Sequence, residues 1–518
     1  MRVCLISREY PPDTGFGGIA TFTRHLAHGL ALNGHEVEVV SLSKDRVGTF
    51  EDVVEDAGVR QTIRVHRVDK TGITKNLSLV PLYTPYSQYC LGAATALWAK
   101  FLELHKERPF DVVDSPELLA EGLMPAVTKA APLLVRLYTP HSKFIAEQLH
   151  NVTPSFDHQL VAMIERVAML NADGITSPSD DLADFVARDL GYPREKIAIV
   201  RNPINTSEFS PEGDVALPSD GRLMVMFIGR LEERKGISYL VDAIPEVVSR
   251  FDNVRFVIIG DDTKTGAGHS SVLEDLKERL RRTNCSGHVE FIDRVPLAAL
   301  PTYYRSADIS IVPSVYDNSP YTCLEAMSCG NAVVGSSAGG TREYMVDGES
   351  GVVIPPRDSK AIAEALLELL SNDAERERLG RNARERVLAN FDRKVIAGDT
   401  AALYEKAIEG FAARYPHRQY LKDESEAMLD AAQFLRSFDK MLYDEMYRQS
   451  FTFRLYHWQR QIVNRPRLSA AKLFLRLSRL FLSPLGFGRA GKENPQFIKK
   501  LEQDVRVRSE EQELVASK

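Results

Sequence analysis

Short apolar runs rich in β-branched residues alternate with longer stretches of helical spacing along the N-terminal part of the chain. Strands are predicted at 3–6, 36–41, 63–68, 112–113, 133–137, 174–176 and 197–200, with a helix from about Ile19 to Leu32 behind the first of them. A second series begins after a Pro- and Gly-rich stretch at 202–221, with runs at 223–228, 254–259, 289–292, 309–312, 332–335 and 351–354. Alternation of strand and helix predicts a parallel sheet covered by helices on both faces. Two such series predict an α/β chain of two Rossmann-like, doubly wound domains, 1–205 and 206–390, that face each other across a cleft. Ligands of open α/β sheets bind beyond the carboxyl ends of the strands, so the site is expected between the domains. From Asp358 to about Gly410 the pattern is helical, and beyond it lies a helical extension, 411–518.

The length of 518 residues and the 44% hydrophobic content suit a multidomain globular protein. With 65 basic and 71 acidic residues the net charge is −6, which argues against a protein that coats nucleic acid. Five scattered cysteines without a CxxC pair read as reduced thiols, hence a cytoplasmic setting. The apolar run at 3–6 ends at Arg8 and Glu9, so it reads as a strand and not as an export signal. No stretch approaches the roughly 20 apolar residues of a membrane-spanning helix, and any membrane attachment is expected to be peripheral.

The extension changes the charge picture locally. Apolar residues recur at helical spacing at Leu435, Phe438, Leu442 and Met446. Then 451–492 carries Arg454, Arg460, Arg465, Arg467, Lys472, Arg476, Arg479, Arg489 and Lys492 and no acid. Lys472, Arg476 and Arg479 form one helical stripe flanked by Leu and Phe, a basic amphipathic pattern suited to an anionic membrane surface. A helix packed on the first domain or on a partner subunit is the equal alternative.

Three segments carry candidate chemistry. The loop after the first strand reads REYPPDTGFGGIATF, and Gly17 and Gly18 lead directly into a helix. Glycines there let a phosphate approach backbone N–H groups at a helix N-terminus. GFGGIA also matches a dinucleotide-binding fingerprint, but eight residues separate Ile6 from Gly15 and the second strand ends without a ribose-binding acid, so an NAD-dependent oxidoreductase fits poorly. In the second domain GRLEERKG places Arg230 and Lys235 after a strand, where two cations can hold a diphosphate. In SVYDNSPYTCLEAMSCGNAVV, Asp317 lies in the loop after a strand and Glu325 in a helix starting near Pro320 or Tyr321. Carboxylates there can accept from sugar and ribose hydroxyls while the amides of Asn318, Ser319, Pro320, Tyr321 and Thr322 face the ligand. Asp261 and Asp262 read as loop or helix-entry residues, and Ser115-Pro116 as a helix start that makes Glu117 a capping-region acid or an acceptor contact.

Taken in order, EYPP with GGIATF, DVVDSPELLAEG, SPS at 177–179, RNPINTSEF, GRLEERKG, VIIGDD and the block ending in LEAMSCG resemble the retaining glycosyltransferases of family 4, which have the GT-B fold. The resemblance covers roughly residues 1–410. It implies that Gly18 contacts the donor diphosphate, that Arg230 and Lys235 bind its phosphates, that Asp317 touches the transferred sugar and that Glu325 holds the ribose. It also implies a crossover helix, 391–410, that returns to the first domain. Two residues depart from the pattern. The family usually has Glu at Asp317, and a His where this chain has Tyr138, with His141 three residues further on; Tyr138 or His141 is then a candidate sugar contact.

The expected activity is therefore transfer of a hexosyl group, with retention, from a UDP-, GDP- or ADP-sugar to a hydroxyl of a glycan, a lipid-linked or a small-molecule acceptor. No metal and no other cofactor is expected, because Arg230, Lys235 and the glycine amides meet the charge of the leaving diphosphate. A non-catalytic nucleotide-sugar-binding or scaffolding protein of the same fold is the alternative. Polysaccharide biosynthesis, at the inner face of a membrane or in the cytoplasm, is the expected setting.

Overall fold

The computed structural model describes residues 1–12, 14, 17–43, 45–69, 84–148, 155–265 and 270–415, and beyond them Lys440, Phe451, Arg454, Leu455, Trp458 and Gln459. The chain forms two compact units, Met1–Gln433 and Phe434–Lys518. In the second unit the described residues are helical and exposed. The amphipathic and basic patterns read at Leu435–Met446 and 460–492 lie outside the described residues, as do Asp13, Gly15 and Phe16 of the glycine loop.

The first lobe of the large unit is built on β1 (Arg2–Ile6), α1 (Gly18–Leu32), β2 (Glu36–Ser43), β3 (Gly48–Asp56), β4 (Val59–Asp69), α2 (Pro85–Glu107), β5 (Val112–Pro116), α3 (Leu123–Thr128), β6 (Leu133–Arg136), α4 (His141–Gln148), α5 (Phe156–Leu170), β7 (Gly174–Ser177), α6 (Asp180–Leu190) and β8 (Ile197–Ile199). The second contains β9 (Leu223–Ile228), α7 (Ile237–Arg250), β10 (Val254–Ile259), α8 (Val272–Arg282), β11 (Val289–Ile292), α9 (Leu300–Tyr304), β12 (Ile309–Val312), α10 (Tyr321–Ser328), β13 (Ala332–Ser336), α11 (Thr341–Tyr344), β14 (Val352–Ile354), α12 (Ser359–Leu370) and α13 (Asp373–Asn390). The last described long helix is α14 (Arg393–Arg414).

Both sheets are doubly wound. Their orders are β3-β4-β2-β1-β5-β6-β7-β8 and β11-β10-β9-β12-β13-β14, so strand order reverses between β1 and β5 and again between β9 and β12. Every pairing is parallel except β3 with β4. That hairpin corrects the expectation of a purely parallel first sheet. The residues of β3 alternate between exposed and half-buried with only Val54 fully buried, so no apolar run announces that strand. The turn at Ala57 and Gly58, both at positive φ, closes the hairpin. A second correction concerns Ser115 and Pro116, which end β5 instead of starting a helix; Pro116 pairs with Arg136 of β6.

The central strands are buried on both faces, as parallel strands under helices must be. Ala397, Ala401, Tyr404 and Ala407 of α14 enter the core of the first lobe beside Phe22, Leu26 and Leu30 of α1. The helices cross closely because Gly29 has no side chain: a Cβ there would lie 2.1 Å from the carbonyl oxygen of Arg393. Tyr404 donates to Asp114, which also pairs with the buried Arg136 at 2.8 Å, anchoring α14 to the sheet. The chain thus passes between the lobes twice, and the two passages are bonded to each other. Ile204 N donates to Phe391 O and Arg393 N to Ile204 O, both at 2.9 Å.

Candidate functional site

The helices that follow the central strands begin without a side-chain cap. α1 starts at Gly17, α7 at Gly236 and α10 at Pro320, as α2 does at Thr84, whereas Ser, Asp or Asn side chains close α5, α6, α8, α12, α13 and α14. Uncapped first turns leave N–H groups for an anionic ligand. Gly236 is required at φ +71°, and a Cβ on it would lie 1.9 Å from Pro313 O, so α7 begins directly against the end of β12.

A cavity of about 680 Å³ opens at the strand ends of the two lobes. The second lobe lines it with 228–230, 259–261, 294–298, Leu300 and Glu325, from the carboxyl ends of β9, β10 and β11 and from α9 and α10. The first lobe contributes Pro11, Pro12, Thr21, Arg24 and His25, and the connecting segment Glu208 and Phe209. The walls at 295–298 and Leu300 are apolar, while Arg24, Arg230 and Arg294 bring positive charge.

Arg230 is 62% exposed and pairs with Glu232 at 3.3 Å. Glu325 accepts from the Tyr304 hydroxyl at 2.8 Å; burial lifts its carboxyl to about 7 against that bond, with Glu208 adding to the rise and Lys235 opposing it. Lys235 donates to Asp317 at 2.5 Å and Arg234 stands 3.5 Å from the same oxygen. Burial pushes the Asp317 carboxyl up, but these two cations prevail and hold it below its ordinary value. Gly18 lies opposite α10: a Cβ on it would come 3.9 Å from the ring of Tyr321, while one on Gly17 would come 3.9 Å from Glu9. Tyr321 packs against the first-lobe core, near His25. Pro320 supplies no N–H, so the backbone donors of that segment come from Asn318, Ser319, Tyr321 and Thr322. The Ser319 amide is turned onto Asp317 at 3.4 Å.

The structure thus brings Arg230 and Glu325 to one cavity and pairs Lys235 with Asp317. Tyr138, His141 and Glu117 are not among the residues lining that cavity, and neither are Gly17, Gly18, Lys235, Asp317, Asn318, Ser319, Pro320, Tyr321 and Thr322. Tyr138 packs edge-on against Phe22, and its amide donates to both carboxylate oxygens of Glu117 at 2.8 Å. Glu117 is fully buried, and burial raises its carboxyl to about 7 against the amides of Tyr138, Thr139 and Leu118. His141 bonds His158 at 2.8 Å, and burial with His158 lowers it to about 4. Asp262 receives bonds from Ser271 and Leu273 at the entry of α8, whereas Asp261 lines the cavity.

Sequence reasoning passed over Thr21, Arg24 and His25, although they follow Gly18 at three- and four-residue spacing along α1. It also missed Tyr304, Arg234 and Asp52. Asp52 stands on the hairpin strand β3 and receives bonds from Tyr10 at 2.7 Å, His28 at 2.8 Å and Arg24 at 3.3 Å, which fixes the first-lobe wall from behind. Burial raises its carboxyl, but His28, Tyr10 and Arg24 outweigh it and hold it at about 2.

Two doubly wound lobes with a shared cavity beyond their strand ends form the GT-B architecture of sugar-transferring enzymes. The Glycosyltransferase Family 4 model matches residues 16–208 and the Glycosyl transferases group 1 model residues 213–386, so the chain belongs to the family 4, group 1 glycosyltransferases. It is 26% identical over 430 residues to an uncharacterized glycosyltransferase of Methanocaldococcus jannaschii, covering 79% of this chain and 99% of that one. It is also 26% identical over 419 residues to the phosphatidyl-myo-inositol mannosyltransferase of Mycolicibacterium smegmatis, covering 78% and 92%. Among solved structures, sucrose-phosphate synthase from Thermosynechococcus elongatus is similar with a TM-score of 0.61 at 24% identity, over 79% of this chain and 99% of that one. The Anabaena protein HepE in complex with UDP-glucose is similar with a TM-score of 0.54 at 17% identity, over 78% and 99%. Among the described residues no helix is long and apolar enough to cross a membrane.

Proposed function

We propose that this glycosyltransferase moves a hexosyl group, with retention, from a nucleotide-diphosphate sugar to an acceptor hydroxyl, in the cleft between its lobes. The observation that carries the reading is the shared cavity, with Arg230 and Glu325 on one wall and α1 on the other. Glu325 holds the ribose; Arg230, Lys235 and the first-turn amides of α1 hold the diphosphate; Asp317 faces the sugar. Asp317 is paired with Lys235 and Arg234, which suits a binding carboxylate better than a nucleophile. The acceptor oxygen then attacks the anomeric carbon from the side on which the diphosphate leaves. Its proton passes to the departing phosphate oxygen, and the cations and amides stabilise the negative charge that develops there. The apolar walls at 295–298 and Leu300 suit the nucleobase.

The acceptor is sought at the first lobe, and the name of the M. smegmatis relative favours a lipid headgroup. The nine basic residues of 451–492 support peripheral docking on an anionic membrane surface that holds such an acceptor. Thermal shift with UDP, GDP and ADP, followed by turnover of the matching radiolabelled sugar nucleotides, tests the enzyme reading; binding without any turnover would leave a scaffold instead. Flotation with anionic liposomes, with and without residues 451–518, tests the docking, and equal flotation removes it.

A further inference from the structure

The loop between β12 and α10 holds Asp317 between two residues that reach across to the first lobe. Asn318 uses its side-chain nitrogen on the Tyr138 carbonyl and the Thr139 hydroxyl, both at 2.6 Å. Its side-chain oxygen accepts from the Tyr316 hydroxyl at 2.8 Å, and that hydroxyl also contacts the Asp181 carboxylate at the start of α6. One residue further on, Ser319 O accepts from Asn202 at 2.9 Å. The receiving wall is stiff, since the Tyr138 amide is bound to the buried Glu117 and Lys143 lies 4.4 Å from the Tyr316 ring centroid. The backbone of Asp317 itself stays with the second lobe: its carbonyl accepts from Gly340 N at 2.9 Å, and a Cβ on Gly339 would approach that same oxygen to 2.1 Å.

Asp317 is therefore fixed from below by its own lobe and from both sides by the other. We propose that Asn318 and Tyr316 are positioning residues that make the placement of the Asp317 carboxylate conditional on closure of the lobes. The inference rests on Asp317 facing the transferred sugar. With the lobes apart, the Asn318 amide loses both first-lobe acceptors and the Tyr316 hydroxyl loses Asp181, so the residues flanking Asp317 keep only their second-lobe bonds, Arg234 to Tyr316 O at 3.2 Å among them. Closure restores these bonds and sets the carboxylate against the sugar, coupling catalysis to the closed state, while Arg230 and Lys235 keep their places in the second lobe in either. A contact that merely glued the lobes together would change nucleotide affinity and turnover in step.

The test uses the full chain and three variants: Asn318→Asp, which keeps the shape but removes both N–H donors, Asn318→Ala, and Tyr316→Phe, which removes one hydroxyl with little risk to folding. Calorimetry gives Kd for UDP, GDP and ADP, and steady-state assays with UDP-glucose, GDP-mannose and ADP-glucose give kcat. Misplacement of a reacting group by about 1 Å costs on the order of 100-fold in rate. The expected result is a kcat lowered roughly 10- to 100-fold in both Asn318 variants and less in Tyr316→Phe, with the diphosphate Kd unchanged. Unchanged kcat, or a Kd that weakens along with kcat, overturns the inference. If the unmodified protein binds none of the three diphosphates, the donor-site reading has failed and takes this one with it; if it binds and turns over, a flat response of the variants condemns the positioning role alone.

Discussion

The two lobes use charge in opposite ways at the carboxyl ends of their strands. In the first, buried acids hold backbone: Glu117 receives the Tyr138 amide, Glu121 the Arg8 amide at 2.8 Å, and Glu165 the amides of Leu119 at 2.7 Å and His141 at 2.6 Å. Burial lifts these carboxyls to about 7, 8 and 8. In the second, the loops approach one another through bare backbone; Gly260, at φ +152°, passes so close to Gly229 that a Cβ on it would come 1.9 Å from that residue's carbonyl oxygen. Its cations stand beside acids of the same lobe, Arg230 by Glu232, Arg294 by Asp261 and Lys235 by Asp317. The contrast teaches that the first lobe spends its buried acids on backbone amides, while the second sets its acids against cations at the cleft.

The sharpest attack on this contrast removes the cations. Arg230→Ala combined with Lys235→Ala is expected to lower transfer by roughly 1,000-fold or more. Stability in urea should change by less than about 1 kcal/mol, since Arg230 is exposed and Arg234 still faces Asp317. A large loss of stability with activity retained would invert the picture. In the first lobe the opposite is expected. Glu117→Ala orphans buried amides and should cost about 1–3 kcal/mol in urea unfolding, with nucleotide affinity intact.

Smaller, and diagnostic of the buried acids, is the pH dependence. In the unfolded chain Glu117, Glu121 and Glu165 titrate near 4.3, but folding raises all three, so the native state binds more protons between those values and its stability falls as pH rises. His25, His28 and His141 are lowered, chiefly by burial, and act in the other direction, but their effect ends by about pH 6.5. From about pH 6.5 to 8 the thermal midpoint should therefore fall, and less steeply in Glu121→Gln. A midpoint that climbs over that interval would show these acids ionised and well compensated.

Much of the second lobe was legible in the chain because its strands are short apolar runs broken at most by one polar residue, Arg255, Glu290 or Ser310: β9, β10, β11 and β12 coincide with the sequence expectation. The hairpin strand β3 was not, since a strand wet on one face lacks such a run, although the two alternating segments around Ala57-Gly58 carried a turn signal. Arg230 and Glu325 were legible from their positions after a strand and in a helix. The partners that tune them were not. Tyr304 meets Glu325 and Asp52 meets Arg24 only through the tertiary fold, and the acids of the first lobe bind amides, which every residue but proline owns and no motif records.

The paired passages at Ile204 and Arg393 have a consequence for protein engineering. The entire second lobe enters and leaves its host at adjacent points, so it is an insertion held by two neighbouring seams. A graft from another family member, cut at those two places, would meet α14 already seated in the first-lobe core and replace the second lobe whole.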